Sequence, residues 1–317
     1  MKIVIFGTGG VGGYFGGRLA QGGQDVTFIA RGAHHTAICK DGLRVDSVNG
    51  DFTIHPAQVT DAPKTLGKAD LILLCVKAWQ LSDALEQIMP LVGDGTLILP
   101  LLNGMEHMET LLETFGAEHV LGGLCRISAF IEAPGHIRHA GIQPYLACGE
   151  WDKTSSGRIQ TLDGIFKSLN GMTAEIPADI QTAMWEKFIF IAATSGVGAY
   201  TRQTLGEYRS DPASRAMLKG ALEETTAIAR ARNISIAENF VEATLTRMDG
   251  LPPQTIASMQ KDIMAGKPSE LDQQTGAVIR MGRAFHVETP THEKIYSALL
   301  PLEQKARSDY SPITNHH

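Results

Sequence analysis

A chain of 317 residues, 43% apolar and 20% charged, is too long for one ordinary domain and apolar enough to bury the cores of two. Its 28 basic against 34 acidic residues leave a net charge of −6 with no Lys/Arg run, which argues against nucleic acid or an anionic membrane as the partner. No apolar stretch reaches the roughly 18 residues of a membrane span, and Cys39, Cys75, Cys125 and Cys148 lack metal-ligand spacing, so a reduced, cytoplasmic chain without a metal is expected.

In chain order, residues 2–6 (KIVIF) read as a short buried strand, opening the chain in place of a targeting segment. A glycine-rich turn follows at once, since nine of the 33 glycines fall within the first 23 residues. Residues 14–21 read as the start of a helix and residues 25–30 as a second strand. Residues 43–54 alternate around Asn49-Gly50, the pattern of a hairpin. Residues 69–76 and 96–101 are continuous apolar runs suited to buried parallel strands, with a crossover helix at 81–91 between them. A helix near 105–115, several strands up to Gly149, a helix near 157–169 and a strand at 172–176 complete an alternating pattern. Such alternation predicts a mainly parallel α/β sheet.

From Asp179 onward almost everything reads as helix: 179–200, 212–232, 236–248, 256–265, 271–285 and 290–306. The expected fold is an α/β N-terminal domain of Rossmann type over residues 1–178, followed by an all-helical domain over 179–317. His316 and His317 end a polar tail expected to be disordered.

Gly7-Thr8-Gly9-Gly10-Val11-Gly12 carries G-x-G-x-x-G between a strand and a helix. Gly7 permits the tight turn, Gly9 lets the backbone approach a pyrophosphate, and Gly12 allows the helix to pack closely on the strand. The helix N-terminus offers N–H groups and positive potential to the phosphates. A merely structural glycine turn is the alternative. The second strand ends Ile29-Ala30-Arg31, with a cation where NAD-preferring sites carry an acid, so NADPH is expected over NADH. Two further strands end in Lys77 and Asn103, which with Arg31 predicts polar groups gathered at the carboxyl rim of the sheet.

Lys187 stands in Met184-Trp185-Glu186-Lys187-Phe188, on a helix that stays apolar all round for three further turns. A helix without a polar face is buried. A partly desolvated ammonium gives up its proton more readily, which suits a proton donor; the alternative is a snorkelling lysine paired with Glu186. Ser269 and Asp272 fit a helix capping box, so Glu270 between them needs no role beyond favouring the helix dipole.

Taken together, these motifs resemble those of the ketopantoate reductases (2-dehydropantoate 2-reductases) over essentially the whole chain. The features that match are the glycine motif with Arg31, Val76-Lys77-Ala78-Trp79-Gln80, Asn103-Gly104-Met105, Trp185-Glu186-Lys187, and Ser258-Met259 through Asp262-Ile263 to Glu270. The resemblance implies NADPH-dependent reduction of a 2-oxo acid in pantothenate and coenzyme A synthesis, with a homodimer among the expected assemblies. It implies Lys187 as general acid and places Glu270 near the cofactor ribose and the substrate hydroxyl, against the helix-dipole reading. Asn103 serves cofactor and substrate, Lys77 the cofactor, and Ser258 the substrate carboxylate. The glycine loop, with Thr8, Gly10 and Val11, would hold the pyrophosphate. This chain departs from the family at Ile191 and Ser195, where asparagines commonly face the substrate four and eight residues after the lysine. That departure bears on substrate identity more than on reaction type. Two rivals follow: a related NADP-dependent reductase of another 2-oxo acid, and a non-catalytic NADPH sensor, which would have no need of Lys187 and Glu270.

Overall fold

The computed structural model describes residues 1–310, so His316 and His317 lie outside the described residues. β1 (Lys2–Phe6), α1 (Gly10–Gln21), β2 (Asp25–Ile29) and α2 (Gly32–Asp41) open the fold. β3 (Leu43–Ser47), β4 (Phe52–Ile54), β5 (Gln58–Thr60) and β6 (Leu71–Leu74) follow. α3 (Leu81–Ile88) then leads to β7 (Leu97–Pro100) and α4 (Glu106–Phe115). Five of these strands form an all-parallel sheet in the order β5-β2-β1-β6-β7. The apolar runs dictate it, because β6 and β7 are buried at every residue, as parallel strands covered on both faces must be. The chain steps from β1 to β2 on one side and later to β6 on the other, so the turn after β1 sits at the switch point where such sheets take ligands.

β8 (Leu121–Arg126), β9 (Ala129–Ala133), β10 (His136–His139), β11 (Tyr145–Glu150), α5 (Gly157–Lys167) and β12 (Thr173–Glu175) complete the first unit. Here the structure departs from the single, mainly parallel sheet that the alternation predicts. Two smaller mixed sheets form, β4-β3-β10-β9 and β12-β11-β8. β8 pairs antiparallel with β11, and β9 with β10. A parallel return needs a crossover of about a dozen residues; between β9 and β10 the chain has Pro134 and Gly135 at φ 74°, enough for a reversal. The expected hairpin forms between β3 and β4, Leu43 opposite Ile54 and Val45 opposite Phe52, with Gly50 at φ 97° in its turn. α2 has no counterpart among the expected elements, since Ile38 is its single buried residue and it offers no apolar period.

Helices make up the rest: α6 (Ile180–Thr201), α7 (Leu205–Ser210), α8 (Pro212–Ala231), α9 (Phe240–Asp249), α10 (Ser258–Met264), α11 (Ala277–Ala284) and α12 (Pro290–Asp309). Contacts divide the chain into two compact units, the first holding residues 1–102 and 107–180, the second Asn103–Glu106 and the chain from Gln181 onward. Residues 192–199 of α6 are buried all round, as its apolar sequence demands. The second unit also contains a buried polar clamp. Glu224 on α8 accepts hydrogen bonds from the backbone N–H groups of Thr291 and His292, at 2.7 and 3.1 Å, and lies 2.6 Å from His292 Nδ1, fixing the start of α12. No helix among the described residues is long and apolar enough to cross a membrane.

Candidate active site

The turn after β1 is shaped by backbone demands that glycine alone meets. Gly7 lies at φ 100°, and a Cβ there would come within 2.9 Å of the Cys75 carbonyl carbon. A Cβ on Gly10 would overlap the Ala129 carbonyl of β9, and one on Gly12 the Gly7 carbonyl. Gly9 differs: a Cβ there would meet no protein atom within 4 Å, so its missing side chain answers no packing need inside the protein. Gly9 is the N-cap of α1 and no side chain caps that end. The N–H groups of the first turn, from Gly10, Val11 and Gly12, therefore have the character of an anion-binding terminus.

Thr8 ties this turn to the tip of β2. Its N–H and its hydroxyl both donate to the Ile29 carbonyl, at 3.2 and 2.8 Å. Two residues on, Arg31 is exposed at the N-cap of α2 and donates to Gln87 Oε1 at 2.6 Å, which leaves the rest of its guanidinium to a ligand. Lys77 comes after β6, the strand on the other side of β1, and its N–H donates to Gln80 Oε1 at 3.1 Å at the start of a 3₁₀ turn. His34, a residue the sequence did not single out, lies beside the same loop. Burial pushes its pKa down, with the Thr8 backbone opposing, and its Nδ1 accepts from Gly135 N–H at 2.9 Å.

In the second unit Asn103 meets Glu270. Asn103 Nδ2 donates to Glu270 Oε2 at 3.0 Å, and Glu270 is 2% exposed. A buried carboxylate needs such donors, because losing water without them costs several kcal/mol. The segment is braced by Arg280, which donates to both Glu106 oxygens at 2.9 and 2.6 Å and to Asp272 Oδ1 at 2.9 Å. Tyr296 Oη also donates to Asp272 Oδ1, at 2.9 Å. Residues 103–106 are thus pinned to the chain just after Glu270.

These contacts leave only half of the capping box read from Ser269 and Asp272: Ser269 Oγ accepts from the Leu271 N–H at 3.2 Å, but Asp272 does not reach back to Ser269. Asp272 is engaged by Arg280 and Tyr296, while the Ser269 N–H and hydroxyl both bond the buried carboxylate of Glu303 on α12. The segment opens with a π turn, Asp272–Gly276, before α11 begins. In a capping box the Asp272 side chain would return to the Ser269 N–H; here the distant carboxylate of Glu303 takes that N–H, which no local pattern encodes. Single π turns inside helices often mark functional positions.

Lys187, Ile191 and Ser195 lie on α6 at intervals of four, one stripe of the helix. Lys187 and Ile191 are half-buried and Ser195 is 2% exposed. The stripe beside it, Glu186 and Phe190, faces Arg247 of α9, whose guanidinium stacks over the Phe190 ring at 5.3 Å. Burial pushes the Glu186 carboxyl up, with Arg247 partly opposing it. Adjacent residues point about 100° apart on a helix, and among the described residues no ion pair joins Lys187 to Glu186. Ser258 opens α10 and is exposed. Elsewhere, Asp46, Glu132 and His136 converge on the second sheet, but Arg44 and Arg138 pair with both carboxylates, at 2.8 and 2.6 Å. Two guanidinium groups in place oppose a metal dication.

The family model for ketopantoate reductase PanE/ApbA matches residues 3–153, and the model for its C-terminal part matches residues 179–303. The chain is 31% identical to the uncharacterized oxidoreductase YkpB of Bacillus subtilis (strain 168), over 96% of this chain and 99% of that one. It is 29% identical to the 2-dehydropantoate 2-reductase of Mesorhizobium japonicum, over 95% and 98% of the two chains. A solved 2-dehydropantoate 2-reductase from Geobacter metallireducens GS-15 superposes with a TM-score of 0.88 at 31% identity, covering 95% of this chain and 99% of that one. With both family models matched in order over most of its length, the chain belongs to the ketopantoate reductase family, NADP-dependent oxidoreductases that reduce 2-oxo acids.

Proposed function

We propose that this chain reduces 2-dehydropantoate to pantoate with NADPH, the reductive step of pantothenate synthesis. The observation that carries this reading is the buried Glu270 carboxylate held by Asn103, in the same unit as the half-buried Lys187. A solvated surface acid or a helix-dipole acid would need no such burial. The first unit fits a dinucleotide phosphate: Gly9 leaves open space, the start of α1 carries no side-chain cap, and Arg31 is exposed at the tip of β2. Lys77 belongs to the cofactor side of the same reading.

When bound, NADPH supplies the hydride that reduces the substrate carbonyl carbon. Lys187 Nζ gives a proton to the carbonyl oxygen, and its positive charge stabilises the alkoxide as it develops. Asn103 and Glu270 orient the groups around that carbon, Glu270 accepting from a hydroxyl and Asn103 donating. Ser258 bonds the substrate carboxylate. Ile191 and Ser195 border the substrate on the stripe that begins with Lys187. The test is NADPH oxidation, followed by absorbance, across a panel of 2-oxo acids. 2-Dehydropantoate should give the highest kcat/KM, and turnover of none of the panel would favour a nucleotide sensor.

Ile191 supports a second reading. Isoleucine offers no hydrogen bond, so a polar substrate group beside it would lose water without compensation, at about 1–3 kcal/mol. A 2-oxo acid that is apolar at that end would suffer no such loss, and the same panel separates the two substrates.

A further inference from the structure

Gln274 lies four residues after Glu270, inside the π turn, and is 1% exposed. Its backbone N–H donates to the Glu270 carbonyl at 2.9 Å, and its side-chain Nε2 reaches Glu270 Oε2 at 3.4 Å. Asn103 Nδ2 reaches the same oxygen at 3.0 Å, so two amides converge on one carboxylate oxygen. The other end of the Gln274 amide, Oε1, is buried with no hydrogen-bond partner. Turning the amide over does not help, since Oε1 would then face the carboxylate with two acceptors in opposition. A buried acceptor without a partner weakens a fold, and an apolar side chain of the same size would avoid the loss. Glutamine at this position is therefore poor for packing and good for one purpose, presenting an N–H to Glu270.

We propose that Gln274 is a positioning residue for the reaction, fixing the Glu270 carboxylate together with Asn103. It rests on the reading of Glu270 as a site residue. Gln274 acts through Glu270 and not on the substrate, so its effect disappears when Glu270 can no longer act. Its effect on stability is small, because removing the amide takes away the unpaired Oε1 together with a long donor contact to a carboxylate that Asn103 still holds.

The experiment is a double-mutant cycle on the full chain with Gln274→Met, Glu270→Gln and the pair, measuring Tm, kcat and KM on the best 2-oxo acid of the panel. Gln274→Met should lower kcat/KM about 5- to 30-fold while Tm changes little. In the Glu270→Gln background the same change should alter kcat/KM by less than about twofold. Gln274→Leu repeats the test with a branched apolar side chain. A marked fall in Tm or loss of folding in both apolar variants would make Gln274 structural and overturn the proposal. An undiminished effect in the Glu270→Gln background would overturn it too, by showing action independent of Glu270. Wild-type kinetics for Glu270→Gln alone would instead remove Glu270 from the site, and Gln274 with it.

Discussion

In the first unit the groups suited to a ligand come from one contiguous stretch, Gly7 to Gly12, joined to Arg31 through the Thr8–Ile29 contact. In the second, Glu270 is met by Asn103, 167 positions earlier in the chain, and is backed by Gln274 inside a π turn. The first device works through backbone N–H groups and the absence of side chains. The second works through side chains whose partners the tertiary fold delivers. Backbone sites are robust to everything except a new Cβ, whereas side-chain sites fail when any one member is removed.

The largest expected effect tests the second unit. Lys187→Ala should lower kcat by about 10²–10⁴-fold with NADPH affinity little changed, and Lys187→Arg should also be poor, because a guanidinium scarcely yields its proton. Near wild-type kcat in a folded Lys187→Ala variant would take the chemistry away from α6. Next comes the cofactor end of the first unit. Arg31→Ala should weaken NADPH binding by about 1.5–3 kcal/mol and leave NADH nearly unchanged, as titrations with the two nucleotides would reveal. Equal losses for both would detach Arg31 from the 2′-phosphate.

The glycine loop offers a sharper comparison within one motif. Gly10→Ala must push a Cβ into the Ala129 carbonyl, so it should destabilise the fold by about 1–3 kcal/mol. Gly9→Ala meets no protein atom within 4 Å at an ordinary φ of −83°, and should cost at most about 1 kcal/mol as a poorer N-cap. Gly9→Ala should nonetheless impair NADPH binding. Thermal melts with and without nucleotide distinguish the two, and parallel losses would mean that Gly9 is packing like its neighbours.

On α6, Ile191→Asn with Ser195→Asn should raise kcat/KM for 2-dehydropantoate relative to an apolar 2-oxo acid, by about 1–3 kcal/mol in discrimination. If the wild type already prefers 2-dehydropantoate and the double variant is worse, these positions do not set specificity. The smallest effect concerns pH. Arg158 beside Glu150 holds that carboxyl below its usual range, with burial opposing and Ser156 adding to the lowering. A depressed carboxylate contributes stability at higher pH that is lost as pH falls through the native titration. Tm should therefore decline in acid, and Glu150→Gln should flatten that decline; an unchanged acid limb would show that the pair is too solvated to matter.

Much of this molecule is legible in one dimension. Parallel strands with continuous apolar runs, the glycine motif and its strand–turn–helix setting, the Asn49-Gly50 hairpin and the buried apolar stretch of α6 each follow from local spacing. Local spacing works there because each feature depends on residues within a turn or two of one another. α2 escapes it for want of an apolar period, and the antiparallel pairing of β8 with β11 escapes it because direction depends on which strands meet. Apart from Gln274, one turn away on the same segment, tertiary structure decided the surroundings of Glu270. Glu303 took the N–H and hydroxyl of Ser269, Arg280 and Tyr296 took Asp272, and Asn103 and Gln274 took Glu270. Most buried polar atoms find a partner wherever the fold supplies one, and here the fold supplied one from 167 positions away.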